Sequence, residues 1–417
     1  MKRLASALIL LSLAAHAKDV ALSFTIPSGA TSEASRFYFG LVHEFNEANP
    51  GVHVEFHPMS DWDEVVNQVG GQVKAGRSAG VFVAEVSETL ELEQMGALTP
   101  FDDLFAQEAG GVKAFAADLL PQFVGNSYCS TGALCGPPFV RSTPVALYNL
   151  DHLQAIGVDA NHLPTTWADL ETLLERLKAH GSTTPFVLGG DWYDYLFEAM
   201  VREAGGSLYD ADHRHITLDT PEAVRALQFW HTLKQHKLLE RATSWKATLN
   251  GFVDGHFPVV FYSSGGMETA RTHAGLHWMA DMLPRDKAYG VAVGGGNLYL
   301  SAHMTGEERG AALKFVRFLY QPATQARISL ATGFFPVVDA AFSEQAFNGR
   351  YTHDEPFVRV RRQLPYAHPK LMTLENLRVR NILKHAIDNC LDDDMPPQKA
   401  LQQAQREVEQ LKAGGRF

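Results

Sequence analysis

Residues 20–24 read VALSF, residues 52–56 read VHVEF and residues 81–86 read VFVAEV. These runs are rich in β-branched and aromatic residues, which predict strands. Between them, apolar residues recur at helical spacing at Phe37, Leu41, Phe45, Val65, Val69 and Val73. Strands that alternate with helices are typical of a parallel sheet covered by helices, so the predicted class is α/β. In such sheets ligands bind beyond the carboxyl ends of the strands.

The second half of the chain has the same pattern. A helix is predicted over residues 166–180, a strand over residues 186–188 and a helix from Pro221, which follows the capping residue Thr220. Further helices are predicted at residues 305–319 and from Pro322 to Gly333. The sequence therefore predicts a second α/β lobe.

The chain begins MKRLASALILLSLAAHA, with two basic residues, an apolar run and a small-residue site that ends at Ala17. This order predicts a secretory signal peptide over residues 1–17 that is cleaved on export. The apolar run is too short to cross a hydrocarbon core of about 30 Å as a helix. No later stretch is long and apolar enough either, so no membrane insertion is expected.

Size and charge narrow the function classes. About 400 residues follow the leader, which favours two domains over one. The formal net charge is -11, and it becomes more negative when the basic residues of the leader are removed. A nucleic acid or an anionic membrane surface is therefore not expected as a partner.

Three cysteines are present. Cys129 and Cys135 are close enough in sequence to form a disulfide in an oxidising compartment, whereas Cys390 is expected to be a small buried side chain of a helix. The sequence has no zinc-type spacing, and neither a metal nor a cofactor is expected.

An extracellular glycosidase or phosphatase would need paired carboxylates, a metal cluster or an activated nucleophile, and none with diagnostic spacing is found. A structural or adhesive protein would show repeats or a long β-rich pattern, which are also missing. The chain is therefore not expected to be an enzyme, and catalysis is kept as a distant alternative.

Six short segments occur in the order of a known family. They are FNEANP (45–50), RSTPVALYN (141–149), LPTTWADL (163–170), FYSSGG (261–266), GGGNL (294–298) and TGFFPV (332–337). The chain resembles the extracellular solute-binding proteins of ABC importers, in particular the branch that binds sn-glycerol 3-phosphate. The resemblance implies a monomeric periplasmic receptor of about micromolar affinity that delivers a small polar ligand to permease subunits and their ATPase.

The resemblance also implies two α/β lobes that close over ligand by a hinge. Each lobe is expected to combine separate parts of the chain. The first lobe would comprise residues 18–140 and about 267–320, and the second lobe residues 141–266 and about 321–417.

One candidate ligand-binding residue, Glu85, lies near a predicted strand end, and two others, Arg141 and Ser142, lie at a predicted turn where the chain passes between the lobes. Glu85 follows the third strand and could accept hydrogen bonds from ligand hydroxyl groups. Ser142 offers a hydroxyl group beside Pro144, and both Glu85 and Ser142 match site positions of the family. Arg141 could clamp a phosphate, although a surface arginine is an equal interpretation.

Two further candidate elements combine hydroxyl groups and glycines. Ser263 and Ser264 precede a predicted helix and could receive an anion, although serines also serve as ordinary helix caps. Of the two, Ser264 corresponds better to the serine of the family site. Gly294 and Gly295 could let the backbone approach a ligand, or could simply permit a tight turn.

Aromatic candidates are Trp62, Trp192 and Phe334. Trp62 and Phe334 stand where the family has tyrosine, and Trp192 stands where it has tryptophan. Aromatic faces suit polyols and sugars. The alternative interpretation is a core or surface aromatic residue.

One departure from the family concerns the phosphate. An ungapped comparison places Met372 at the family's phosphate-binding arginine, and a buried phosphate needs a cation. Either Arg141, Arg378 or Arg380 substitutes for it, the comparison is offset by a few residues, or the ligand is uncharged. The predicted ligand is sn-glycerol 3-phosphate or a glycerophosphodiester, with a neutral sugar or polyol as the alternative.

Overall fold

The computed structural model describes residues 19–28, 32–210 and 215–414. The predicted leader, residues 1–17, lies outside these ranges. Within them, no helix combines the length and apolar character needed to cross a membrane.

The described strands are β1 (Val20–Pro27), β2 (Val52–Met59), β3 (Val81–Glu85), β4 (Leu98–Thr99), β5 (Pro138–Ser142), β6 (Pro144–Asn149), β7 (Phe186–Leu188), β8 (Leu239–Arg241), β9 (Val259–Ser263), β10 (Trp278–Asp281), β11 (Val291–Ala292), β12 (Gly294–Ser301) and β13 (Ala367–His368). The described helices are α1 (Glu33–Ala48), α2 (Trp62–Lys74), α3 (Thr89–Gln94), α4 (Phe101–Leu104), α5 (Gly111–Ala116), α6 (Leu150–Ala155), α7 (Trp167–Ala179), α8 (Tyr193–Glu203), α9 (Pro221–Gln235), α10 (Trp245–Val253), α11 (Met267–Thr272), α12 (Gly306–Leu319), α13 (Pro322–Thr332), α14 (Gln345–His353), α15 (Glu355–Val360), α16 (Asn376–Leu391) and α17 (Pro397–Ala413).

The first sheet has the order β2-β1-β3-β12-β4, and β5 also pairs with β12. Strands β2, β1 and β3 are parallel, as their alternation with α1 and α2 predicts. Strand β12 is antiparallel to β3, β4 and β5, so the sheet is mixed. The antiparallel pairing brings the first residue of β12 to the edge where β3 ends.

The second sheet has the order β10-β6-β9-β7-β8. Here β7 is parallel to β8 and β9, while β6 is antiparallel to β9 and β10. Helices α8, α9, α16 and α17 pack together on this side of the molecule. Two lobes of the α/β class result, each built on one mixed sheet.

Several helices begin and end as the sequence predicts. Thr166 caps α7 and Thr220 caps α9, each by accepting a hydrogen bond from a backbone N–H group of the first turn. Gly333 ends α13 with a φ of 77°, a backbone conformation that favours glycine. These caps are local interactions, which is why the sequence reveals them.

The chain passes from the first sheet to the second at Thr143, between β5 and β6. It returns between β10 and β12, later than the predicted position near residue 267, because β10 pairs with β6 of the second sheet. Helix α13 packs on α1 and α12, although the predicted second lobe includes it. Helix α15 then packs on β10, so the chain contacts the second sheet again before it enters α16.

A disulfide joins Cys129 and Cys135. It closes a hairpin whose tip is held by Glu93, which accepts hydrogen bonds from the backbone N–H and the hydroxyl group of Ser130 at 2.8 Å each. Cys390 is buried in α16, where burial and Asp394 raise the pKa of its thiol to about 12. This thiol is thus held protonated at neutral pH.

Candidate ligand-binding site

A cavity of about 110 Å³, the inner cavity, lies between the two lobes. Both sheets contribute to its wall, at the ends of their strands. The described residues that line it are Trp62, Glu85, Ser142, Trp192, Tyr195, Trp245, Ser263, Gly294, Gly295, Phe334 and Lys370. Eight of these residues are candidates from the sequence, and Tyr195, Trp245 and Lys370 are not.

Strand ends position the polar part of the wall. Glu85 is the last residue of β3, Ser142 the last of β5 and Ser263 the last of β9. Gly294 begins β12 and pairs with Ser142. The backbone at these positions is therefore fixed by hydrogen bonds of the two sheets, independently of side-chain contacts.

Two glycines let the backbone of β12 approach the cavity closely. A Cβ atom on Gly294 would lie 2.7 Å from the Tyr195 hydroxyl oxygen and 2.9 Å from Ser142 Oγ. Gly295 has a φ of +94°, and a Cβ atom there would lie 2.2 Å from the carbonyl oxygen of Val140. Larger residues at either position would push the polar wall apart.

Glu85 and Lys370 form a buried ion pair in this wall. Lys370 Nζ lies 3.1 Å from Glu85 Oε1, and the two side chains are 3% and 4% exposed. The other carboxylate oxygen of Glu85 accepts hydrogen bonds from the backbone N–H group of Ser87, at 2.8 Å, and from its hydroxyl group. The pair therefore presents both a donor and an acceptor to the cavity with no net charge.

Lys370 lies in an irregular segment, residues 369–375, that contacts both lobes. Asn126 of the first lobe accepts a hydrogen bond from the Lys370 backbone N–H group and donates one to its carbonyl group, each at 2.8 Å. Glu198 of α8 accepts from the backbone N–H group of Leu371 at 2.9 Å. These contacts hold the segment, and hence the ammonium group, between the lobes.

Aromatic rings form the remainder of the inner cavity. Lys370 Nζ lies 5.0 Å from the ring centre of Trp192 and 5.5 Å from that of Tyr195, within the range of cation–π attraction. Trp245, the first residue of α10, stacks on Tyr262 with ring centres 4.0 Å apart. The cavity thus combines broad apolar faces with a few polar groups, the usual composition of a small-molecule site.

Two sequence candidates have their side chains elsewhere. Arg141 precedes Ser142 in β5, and because successive side chains of a strand point to opposite faces, the Arg141 side chain points away from the cavity. It is fully buried and donates hydrogen bonds to the carbonyl oxygen atoms of Phe123 and Gly296, at 3.0 and 2.7 Å, and to Asn297 Oδ1. Burial lowers the pKa of Arg141 to about 10, so it stays charged at neutral pH.

Ser264 is the second such residue. Its Oγ atom accepts a hydrogen bond from the Thr143 backbone N–H group at 3.2 Å, at the crossing between the sheets. Ser263 lines the cavity in its place and also caps the short helical turn that follows, at Gly265 N–H. Of the two serines, the structure brings Ser263 to the cavity.

The predicted substitutes for a phosphate-binding arginine have other partners. Arg380 Nε lies 3.0 Å from Asp194 Oδ2, and its guanidinium group lies 4.2 Å from the ring centre of Trp192. Arg378 is half exposed and pairs with Glu375 at 3.2 Å. Met372 is buried and does not line the inner cavity, whereas Lys370, two residues before it, does.

Two buried carboxyl groups lie behind the wall. Burial, with the nearby charge of Glu85, raises the pKa of Glu88 to about 8, although Asn376 Nδ2 donates a hydrogen bond to Glu88 at 3.0 Å. Burial raises the pKa of Glu198 to about 7. At neutral pH Glu88 and Glu198 therefore carry less negative charge than two fully ionised carboxylates would.

A larger cavity of about 650 Å³, the outer cavity, adjoins the inner one. Trp62 and Phe334 line both. Hydroxyl-bearing side chains dominate the polar part of its wall, including Ser60, Thr269 and Thr332. The two aromatic residues therefore stand between a narrow inner cavity and a wider, more polar space.

Comparisons with known proteins agree with this geometry. A family model described as bacterial extracellular solute-binding protein matches residues 40–352. Among curated proteins, the sn-glycerol-3-phosphate-binding periplasmic protein UgpB of Escherichia coli O1:K1 is 24% identical, over 98% of this chain and 96% of the relative.

Solved structures match over nearly the whole chain. UgpB from Mycobacterium tuberculosis, in complex with glycerophosphocholine, has a TM-score of 0.83 at 20% identity and covers 96% of this chain and 99% of its own. Maltose-bound T. maritima MalE3 has a TM-score of 0.80 at 20% identity, covering 94% of this chain and 100% of its own. Similar folds thus carry a phosphodiester in one protein and a sugar in another.

Proposed function

The chain belongs to the bacterial extracellular solute-binding proteins, and we propose that it captures a small neutral polyhydroxylated solute, a sugar or a polyol. The family's role is binding for transport rather than catalysis, so the chain is a transport component and not an enzyme. In this proposal the solute is held in the inner cavity and passed to the permease subunits and ATPase of an ABC importer.

The Glu85–Lys370 ion pair carries the choice of a neutral ligand. Lys370 is the one cationic residue among the described residues that line the inner cavity, and Glu85 neutralises it at 3.1 Å. A phosphate dianion in this cavity would lack a compensating charge, and desolvation without one is costly. A hydroxylated ligand needs only donors and acceptors, which the pair supplies.

The aromatic walls support the same choice. Trp62, Trp192 and Trp245 offer flat apolar faces, which suit the C–H faces of a sugar or polyol. Glu85, Ser142, Ser263 and Lys370 would then bond the hydroxyl groups at its edges. The roles of these residues are part of the proposal.

A second candidate ligand is sn-glycerol 3-phosphate or a glycerophosphodiester. The curated relatives favour it, since the E. coli protein named for glycerol phosphate aligns over 98% of this chain. In that case the Lys370 ammonium group would take the place of the family's arginine and would share its charge between the phosphate and Glu85.

Calorimetric titration of residues 18–417 separates the two candidates. The panel is glycerol 3-phosphate, glycerophosphocholine, and neutral sugars and polyols, at pH 7. Dissociation constants of about micromolar order for neutral members only would support the proposal. Binding of the phosphate esters alone would reject it in favour of the second candidate.

Export and assembly complete the proposal. The leader would be removed after Ala17, leaving a monomeric receptor in the periplasm. Mass spectrometry of the exported protein tests the cleavage, because the mature chain should begin at Lys18. A retained leader would contradict it.

A further inference from the structure

The geometry points to Glu85 as the residue that sets charge selectivity, because it masks the ammonium group of Lys370. We infer that the cavity rejects anionic ligands through this masking rather than through lack of a cation. The inference rests in part on the proposed function, and it assigns Lys370 as a specificity-determining residue that contacts the ligand.

The carboxylate of Glu85 is occupied on both oxygen atoms. One accepts from Lys370, and the other accepts from the N–H and hydroxyl groups of Ser87. These donors hold the carboxylate in place. An anionic ligand could not remove it from the wall, and would instead share Lys370 with it.

The ammonium group of Lys370 still has donor capacity. It carries three hydrogen atoms, and the described contacts of Nζ to a hydrogen-bond acceptor use one, at Glu85. The rings of Trp192 and Tyr195 flank it at 5.0 and 5.5 Å and accept no conventional hydrogen bond. A ligand oxygen in the inner cavity can therefore receive a hydrogen bond from Lys370 while the ion pair stays intact.

The surrounding charges do not supply a substitute cation. Arg380 lies behind Trp192, held at 3.0 Å by Asp194, with Glu88 at 4.0 Å. Asp194 is buried beside it, so this arginine already compensates the charge of Asp194. The electrostatic balance of the inner cavity therefore depends on Glu85 and Lys370.

The test is to remove the mask. Glu85→Gln keeps the shape of the side chain and removes its charge, which leaves Lys370 free to pair with an anion. Because close charge pairs are coupled by about 1.5 kcal/mol or more, affinity for glycerol 3-phosphate should rise by about tenfold or more. Affinity for the best neutral ligand should fall, because a carboxylate acceptor becomes an amide.

The matched control is the double variant Glu85→Gln/Lys370→Met. It restores a wall without net charge and removes the cation, so the gain in glycerol 3-phosphate affinity should disappear. A thermal unfolding measurement on both variants tests whether they are folded. If Glu85→Gln does not fold, the test compares two double variants. Glu85→Gln/Lys370→Arg restores a cation without its partner, so it should bind glycerol 3-phosphate more tightly than Glu85→Gln/Lys370→Met.

The outcomes separate this inference from the proposed function. If the wild type binds neutral solutes and Glu85→Gln gains no affinity for glycerol 3-phosphate, the masking is overturned and the proposed function stands. If the wild type binds only the phosphate ester, the proposed function fails. The rejection of anions by the masked Lys370 then fails with it, because the wild-type cavity accepts a phosphate.

Discussion

The wall of the inner cavity has two parts that are held in different ways. Glu85, Ser142, Ser263 and Gly294 stand at strand ends, where hydrogen bonds of the two sheets fix the backbone. Lys370 belongs to the irregular 369–375 segment, and its backbone is held by the side chain of Asn126. Tyr195 and Trp245 stand on helices, so their positions depend on how α8 and α10 pack.

Substitutions in the two parts should therefore affect stability and affinity differently. A change in the strand-end part disturbs the sheets and should cost stability before it changes binding. A change in the side-chain-held part moves one group within an intact fold and should cost affinity first. Arg141→Met, Asn126→Ala and Gly189→Ala test this difference, and Glu88→Gln tests the buried acid behind the wall.

Arg141→Met should cause the largest loss of stability, with little effect on affinity per folded molecule. The substitution leaves the carbonyl groups of Phe123 and Gly296 without their buried donor. The free energy of unfolding should fall by about 3–5 kcal/mol. Denaturant titration measures this, and Arg378→Met, at a half-exposed arginine, is the matched control with an expected change within about 0.5 kcal/mol.

A stable Arg141→Met protein that had lost ligand affinity would contradict this assignment. Such a result would indicate that Arg141 binds the ligand, which is one of the two interpretations of the sequence.

Asn126→Ala should release the 369–375 segment, since the Asn126 side chain makes two hydrogen bonds to the Lys370 backbone. We expect a loss of about 1–3 kcal/mol in unfolding free energy and a roughly tenfold loss of affinity, because Lys370 is no longer held against Glu85. Calorimetry and denaturant titration on the same protein give both values. Asn348→Ala, at an exposed position, should change neither.

Unchanged affinity in folded Asn126→Ala would show that the ion pair with Glu85 alone positions Lys370.

Glu88→Gln should change how stability depends on pH. Glu88 titrates at about 8 in the folded protein and at its ordinary value, 4.5, when unfolded. The folded state therefore binds the extra proton between these values, and the contribution of Glu88 to stability falls as pH rises from about 5 to 8. The variant should reduce this fall by on the order of 2 kcal/mol, measured by denaturant titration at pH 5, 6.5 and 8.

Equal pH dependence in the wild type and Glu88→Gln would show that the Glu88 carboxyl group does not titrate in this range. Glu33→Gln, at an exposed acid of α1, should match the wild type throughout.

Gly189→Ala should have the smallest effect. A Cβ atom at Gly189 would lie 2.3 Å from Trp245 Cζ3, so the indole ring must shift within the wall. Affinity should fall by a few-fold, and stability by about 1 kcal/mol. Gly310→Ala, a helical glycine with open space around it, should leave affinity unchanged, and a larger loss there than at Gly189 would contradict the argument.

The predictability of the site follows the same division. The strand runs at 20–24, 52–56 and 81–86 indicate β1, β2 and β3, and Glu85 then lies at a strand end by counting. Strand alternation alone would have separated Ser142 from Arg141, had residues 138–142 been predicted as a strand. The return from β10 could not be predicted, since it depends on a short strand that pairs with the distant β6.

Lys370 illustrates what a sequence pattern cannot supply. Residues 369–375 form no helix or strand and carry no apolar period, so no rule says which way their side chains point. The sequence carries one signal, the departure at Met372. An offset of two residues in the family comparison would place the cation of Lys370 at the position of the family's arginine. The place of Trp245 in the cavity wall could not be predicted either, because it depends on stacking against Tyr262 and on the space that Gly189 leaves by having no side chain.

The place of β12 in the first sheet has a consequence for the order in which the molecule is made. Residues 294–301 pair with β3, β4 and β5, so the first sheet cannot close until residue 301 has been synthesised. The strands of the second sheet all lie within residues 144–281. The part of the chain made first thus completes its sheet last, and we expect residues 20–142 to be the stretch most exposed to aggregation and to chaperones while synthesis continues.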